Sequence, residues 1–159
     1  MMNTFLADKP IISYDFDGVL HVDMYEDRIV KGLYHNSSFN DVDAWVPFRR
    51  IQNQIREQAA DYNIVIVTAR DTWNLPELWQ FVNKHKLPIK HIFCTNNGPK
   101  CEVLGAIQAI RHYDDRDFSQ ELAALELEFV RVYPGPHITG RPSQRDYLVS
   151  KYITKEVKA

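Results

Sequence analysis

Four carboxylates and one lysine carry most of the chemistry that this chain can be expected to do. Asp15 and Asp17 stand two residues apart in DFDGVL, straight after the apolar run Ile11 to Tyr14. Side chains two apart at a strand end face the same way, while Phe16 between them turns to the core. Asp114 and Asp115 close a second run, Ile110 to Tyr113, and Thr68 with Ala69-Arg70-Asp71 closes a third, Asn63 to Thr68. If these runs are parallel strands, their ends share one edge of a sheet, where open α/β sheets bind ligands. Acids gathered there repel and raise one another's pKa values. A hard divalent cation removes that conflict, and an all-oxygen set favours Mg²⁺ over zinc.

Lys100 has the opposite charge in an unexpected place. It falls in the first turn of a predicted helix, after Gly98-Pro99. That end is electropositive, so a cation is locally unfavourable. Broken local rules of this kind often mark function. An ammonium there could balance the acids and hold an anionic ligand; the plainer reading is a solvated surface lysine. Gly18 lets the backbone turn sharply beside the acids. His91, Cys94, Cys101 and His112 are of zinc-binding types, but their spacing matches no closed zinc pattern.

The elements that must position these groups alternate. Strands are expected at 11–14, 63–68, 91–94, 110–113 and 129–133, the last ending at Pro134-Gly135-Pro136 as an outer strand would. Between them lie four helical stripes. These are Phe48, Ile51, Ile55 and Ala59; Leu78, Phe81, Val82 and His85 after Pro76; Val103, Leu104, Ile107 and Ile110; and Leu122, Leu125 and Phe129. Asp117 would cap the fourth, with Gln120 completing a capping box. Strand and helix in turn imply a Rossmann-like three-layer α/β/α sandwich around a five-stranded parallel sheet. Two segments break the rhythm. Residues 19–44 are long, polar and aromatic, and read as a small flap over the site. The end of the chain is basic, with Arg141, Arg145, Lys151, Lys155 and Lys158 against Asp146 and Glu156.

Composition narrows the class. At 159 residues, 45% hydrophobic and 25% charged, the chain reads as one soluble domain, here taken as 1–136, followed by a basic tail at 137–159. A formal net charge of −2 gives no global drive toward nucleic acid or anionic membrane. No apolar run is long enough to span a bilayer, and the start MMNTFLADKP is unlike a secretion signal. Two cysteines are too few for a disulfide framework and fit a reducing cytoplasm. Nothing in the sequence points to an oligomer.

The ordered set DFDGVL, IVTAR, a lysine at a helix start and YDD resembles the haloacid dehalogenase (HAD) superfamily of phosphotransferases, over residues 10 to 133. Dehalogenase members lack the second acid, so Asp17 favours phosphoryl transfer. The resemblance implies a Mg²⁺-dependent phosphatase with Asp15 as nucleophile, forming an aspartyl-phosphate. Asp17 would be general acid and then base, its backbone carbonyl also meeting Mg²⁺. Thr68 would bond a phosphoryl oxygen, and Lys100 would stabilise charge on nucleophile and phosphoryl group. Asp115 would be a direct metal ligand, with Asp114 beside it. Gly18, Ala69 and Arg70 complete the substrate-binding set; Arg70 could meet a substrate phosphate or pair with Asp71 or Asp115. Lys86 or Lys90 would replace Lys100 under a different strand register. Asp117 could reach the metal rather than cap a helix.

The substrate is less legible. Family members often read substrate through an inserted cap domain, and this chain looks nearly capless. The DDR run has a weak, local similarity to the phosphatase half of polynucleotide kinase-phosphatase. With the basic tail, this favours a nucleotide or polynucleotide phosphate over another phosphorylated small molecule. Tyr25, Tyr34, Phe39, Trp45 and Trp73 would stack on bases or pack the flap onto the core. The competing readings are a catalytically idle module that binds a phosphorylated partner, and a nucleic-acid adaptor acting through the tail.

Overall fold

Short β-branched and aromatic runs form the strands, and stripes of apolar residues at helical spacing cover them. The computed structural model describes residues 8–23, 42, 45–132 and 153–158. Five strands are parallel: β1 (Ile11–Tyr14), β4 (Asn63–Thr68), β5 (Ile89–Cys94), β6 (Arg111–Asp114) and β7 (Glu128–Val132). A sixth, β8 (Ile153–Lys158), pairs antiparallel with β7, giving the order β5-β4-β1-β6-β7-β8. A separate hairpin pairs β2 (His21–Asp23) with β3 (Trp45–Pro47). The helices are α1 (Arg49–Gln58), α2 (Leu75–Lys84) and α3 (Lys100–Ala106), with a 3₁₀ turn at Thr72–Asn74.

Period-two alternation divides the core into two layers. Ile12, Tyr14, Ile64 and Ile66 face α1 and α2, packing with Ile51, Ile55, Leu78, Phe81 and the hairpin's Trp45. Ile11, Val65, Val67 and Phe129 face the other way, onto Leu104, Ile107, Leu122 and Leu127. This is the expected three-layer α/β/α sandwich. Among the described residues no helix is long and apolar enough to cross a membrane.

Three details differ from the sequence expectation. The fourth helix is absent: 115–127 is a chain of single turns. Asp117 Oδ1 accepts from the amide and hydroxyl of Ser119, at 3.0 and 2.6 Å, so it closes a local turn instead of capping a helix. The apolar spacing there still works, because Leu122 and Leu127 are buried against α3. Second, α3 stops at Ala106 and leaves Ile110 38% exposed. Gln108 takes φ 56°, and the Ala109 amide reaches back to the Leu104 carbonyl at 3.1 Å, a closure that ends the helix. Third, β7 is not the edge of the sheet, because β8, from the basic tail, lies outside it. The flap expectation rests mostly on 24–41, 43 and 44, outside the described residues. Tyr25, Tyr34, Phe39, Arg141 and Arg145 also lie outside them.

Candidate active site

The strand ends carry the reactive groups to one edge, as parallel pairing requires. β1 pairs with β4 and β6 so that Tyr14 stands beside Ile66 and Tyr113. The next residue on each side is then Asp15 and Asp114, and the Asp15 amide bonds the Tyr113 carbonyl at 2.8 Å. A pocket of about 150 Å³ opens here, lined by Asp15, Asp17, Thr68, Ala69, Lys100 and Asp114, with Asp115, Arg116 and Phe118.

Lys100 is the electrostatic hub. Although it is the first residue of α3, it is 4% exposed. Its Nζ lies 2.9 Å from Asp15 Oδ1 and 2.6 Å from Asp114 Oδ2, and faces the Phe118 ring at 5.2 Å. Burial pushes its pKa down, but Asp15 and Asp114 outweigh that and the net shift is up. Lys86 and Lys90 are exposed, so the register that would have used them is not the one adopted.

The acids divide into two kinds. Burial, then repulsion from Asp114, raises Asp15 well above the ordinary carboxylate range, against the pull of Lys100. The same two causes raise Asp115 to about 6. Asp114 goes the other way. Burial pushes it up, but the hydrogen bond from His112 and the Lys100 charge bring it below its ordinary value. Its Oδ2 accepts from Lys100 and His112, and its Oδ1 from the Arg116 amide at 3.1 Å.

A cation suits this set. Asp15, Asp114 and Asp115 each offer an oxygen, all within 4.8 Å of one another. Among the described residues no other three acids, histidines or cysteines gather this closely, so the zinc-type residues do not meet. Gly18 shows how tightly Asp115 is seated. Its φ is 79°, and a Cβ built there would meet Asp115 Oδ2 at 2.4 Å. Gly18 thus makes room for the carboxylate as well as for the turn.

Thr68 and Ala69 reach the pocket through a loop pinned by its neighbour. The amides of Thr95, Asn96 and Asn97 bond the carbonyls of Thr68, Arg70 and Ala69 at 2.8, 3.2 and 2.8 Å. Asn96 and Asn97 adopt φ 53° and 62°, which asparagine tolerates. Thr68 Oγ1 accepts the Arg70 amide at 3.2 Å, so the hydroxyl proton is directed elsewhere.

Arg70 meets a partner that the sequence reading did not name. It grips Asp17, with Nε to Oδ2 at 2.8 Å and an Nη to Oδ1 at 2.7 Å. Its guanidinium lies over Trp45 at 4.8 Å and Phe16 at 5.5 Å. His21 Nε2 adds a bond to Asp17 Oδ1 at 2.9 Å. Burial raises the Asp17 pKa, but the bonds from His21 and Arg70 outweigh it and leave it below the ordinary range.

No family model and no curated protein matches the chain. Solved structures do. A chain of the Pnkp1/Rnl/Hen1 RNA repair complex superposes with a TM-score of 0.60 at 17% identity, over 86% of this chain and 45% of that one. A chain from a second structure of the Pnkp1/Rnl/Hen1 complex gives 0.55 and 15%, over 80% and 47%. This chain spans less than half the length of both neighbours, and at these identities the likeness is one of fold.

Sequence reading passed over His21, Arg116, Phe118 and the role of His112. Arg116 had a signal in the DDR run. Ser13 and His112 had another: each is a polar residue two places before a site acid, on the same strand face, where an apolar residue would be ordinary. His21 had none, because its place depends on how the hairpin folds back. Of the aromatics, Trp45 is buried and packs against Phe16 and Phe81, whereas Trp73 is 62% exposed.

Proposed function

We propose that the protein is a Mg²⁺-dependent phosphohydrolase that acts through an aspartyl-phosphate on Asp15. The observation that carries this reading is the Asp15–Lys100–Asp114 bridge beside Asp115, at the edge where the strands end. The buried ammonium binds both acids yet leaves Asp15 and Asp115 with raised pKa values, an arrangement suited to one further cation. Asp15 and Asp115, with the Asp17 backbone carbonyl, would hold it, while Asp114, with both oxygens engaged, backs Lys100. When bound, Mg²⁺ supplies charge that neutralises the acids and steadies the phosphoryl oxygens.

In this reading an Asp15 oxygen attacks phosphorus, and the bond from phosphorus to the ester oxygen breaks. The leaving oxygen takes a proton from Asp17. Water then attacks the aspartyl-phosphate, giving its proton to Asp17 and releasing inorganic phosphate and free Asp15. Lys100 and the Thr68 hydroxyl stabilise charge on the transferring group. The Arg70 grip keeps Asp17 a carboxylate, which suits the second half. For the first half, Asp17 must be released from Arg70, for which the substrate's own anionic groups are the expected competitors.

A pocket of about 150 Å³ takes little beyond the phosphoryl group, so the rest of the substrate lies outside it. The exposed Trp73, five residues beyond Thr68, and the fold neighbours from an RNA repair complex support a nucleotide or polynucleotide phosphate. The clamp on Asp17 is the observation that favours the other reading, an idle phosphate-binding module. Hydrolysis of p-nitrophenyl phosphate decides between them. Turnover is expected with Mg²⁺, and loss of it with EDTA and in Asp15→Asn; activity that survives that substitution rejects the assigned nucleophile. A panel of phosphorylated metabolites, nucleotides and oligonucleotides then defines the substrate.

A further inference from the structure

Behind the pocket, on the sheet face covered by α3, lies a second polar pair that the proposed mechanism does not use. Ser13 and His112 are cross-strand partners on β1 and β6, and both are fully buried. Ser13 Oγ stands 2.7 Å from His112 Nδ1, and His112 Nε2 stands 2.9 Å from Asp114 Oδ2. Asp114 passes the contact to Lys100, and Lys100 to Asp15. The five side chains form one unbroken file from the sheet interior to the pocket.

The chemistry of each group fixes the direction of the bonds. A carboxylate only accepts, so His112 Nε2 carries the proton. In the neutral ring Nδ1 accepts from the Ser13 hydroxyl at 2.7 Å, the shorter of that hydroxyl's two contacts; the other is the Arg111 carbonyl at 3.3 Å. Burying a serine and a histidine at the centre of a sheet costs free energy unless each satisfies the other. Two apolar residues would fill the same places without that risk.

We propose that His112, oriented by Ser13, is a positioning residue that sets the Asp114 carboxylate and, through it, the ammonium of Lys100 against Asp15. Without the His112 bond, only the Arg116 amide on Oδ1 would keep Asp114 from turning its Oδ2 away from Lys100. The reacting groups would remain present but lose their alignment. The proposal rests on the phosphatase reading for its kinetic consequence but not for its geometry.

The test uses His112→Leu, His112→Gln and Ser13→Ala, with folding checked by circular dichroism. Outer partners of this kind are typically worth 10–100-fold in activity. His112→Leu is expected to lower kcat for p-nitrophenyl phosphate by about that factor with KM little changed. His112→Gln, whose amide can still donate to Asp114, should recover most of the loss. Nitrogen-15 NMR of the wild type should show the Nε2–H tautomer, with the Nδ1 resonance shifted in Ser13→Ala. Unchanged kcat in folded His112→Leu, a glutamine variant no better than leucine, or a proton on Nδ1 would each overturn the proposal. If the wild type hydrolyses nothing, the phosphatase reading fails separately. Inorganic phosphate binding then decides: weaker in His112→Leu supports the positioning role, and unchanged removes it.

Discussion

Replacing Gly18 with alanine tests the closest contact in the site. The new Cβ would lie 2.4 Å from Asp115 Oδ2, at a residue whose φ is 79°. An L-residue in the left-handed region costs about 1–2 kcal/mol, from which the lower entropy of the unfolded alanine chain takes back about 0.4–1. Crowding a packed position adds about 1–3 kcal/mol. The sum is a destabilisation of about 1–5 kcal/mol, which at this chain length lowers Tm by roughly 2–20 °C. Asp115 has to move, so Mg²⁺ affinity should fall at least ~10-fold as well. Thermal melts with and without Mg²⁺, together with calorimetric titration of the ion, measure both effects. A variant that melts within about 1 °C of wild type and binds Mg²⁺ equally well would refute the packing argument.

If the acids hold Mg²⁺ as proposed, their raised pKa values make its binding pH-dependent. Asp115 titrates near 6 rather than at its ordinary 3.8, and Asp15 moves in the same direction. In the metal-free fold the proton stays on longer than in the unfolded chain. This contribution therefore favours folding below pH 4 and is lost as pH rises through 6. Mg²⁺ must displace that proton, so its affinity should weaken ~10-fold per unit once pH falls below 6, and the Tm gain from Mg²⁺ should be largest above it. Equal gains at pH 5 and 7.5 would contradict this. Arg70→Lys keeps the charge but loses the two-pronged grip on Asp17. Because the Asp17 side chain is 42% exposed, solvent screening holds the stability loss to about 1 kcal/mol. The expected result is a small fall in Tm with a larger fall in kcat; an indifferent kcat would show that Asp17 needs no such anchor.

The central strands were the most legible part of the chain. Ile11 to Tyr14 and Asn63 to Thr68 are short, mainly apolar runs ending in acids or Thr-Ala-Arg, and one parallel register brings those ends together. The meeting of Asp15, Thr68 and Asp114 follows from the pairing of β1 with β4 and β6, and the start of α3 adds Lys100 to them. Features set by contacts between distant segments were hidden. Arg70 finds Asp17 because Trp45 and Phe16 support its guanidinium from below, and Trp45 arrives from the far strand of the hairpin. The turns at 115–127 kept helical spacing without a helix, since Ser119 and Asp117 satisfy one another locally. β8 has little to announce it, being a charged stretch of a basic tail that pairs with β7.

The seam between β1 and β6 is braced on both sides. Opposite the Ser13–His112 pair, the rings of Tyr14 and Tyr113 stack at 4.3 Å, and Gln58 bonds both hydroxyls. Sliding one strand by a single residue would carry Asp114 in beside Tyr14 or, in the other direction, put the Tyr113 ring where Asp114 faces the pocket. No intermediate slip keeps either face content. The alignment of Asp15 with the Lys100 ammonium is therefore written into how two strands count past each other, and anything that loosens the tyrosine side should blur the acidic side without touching it.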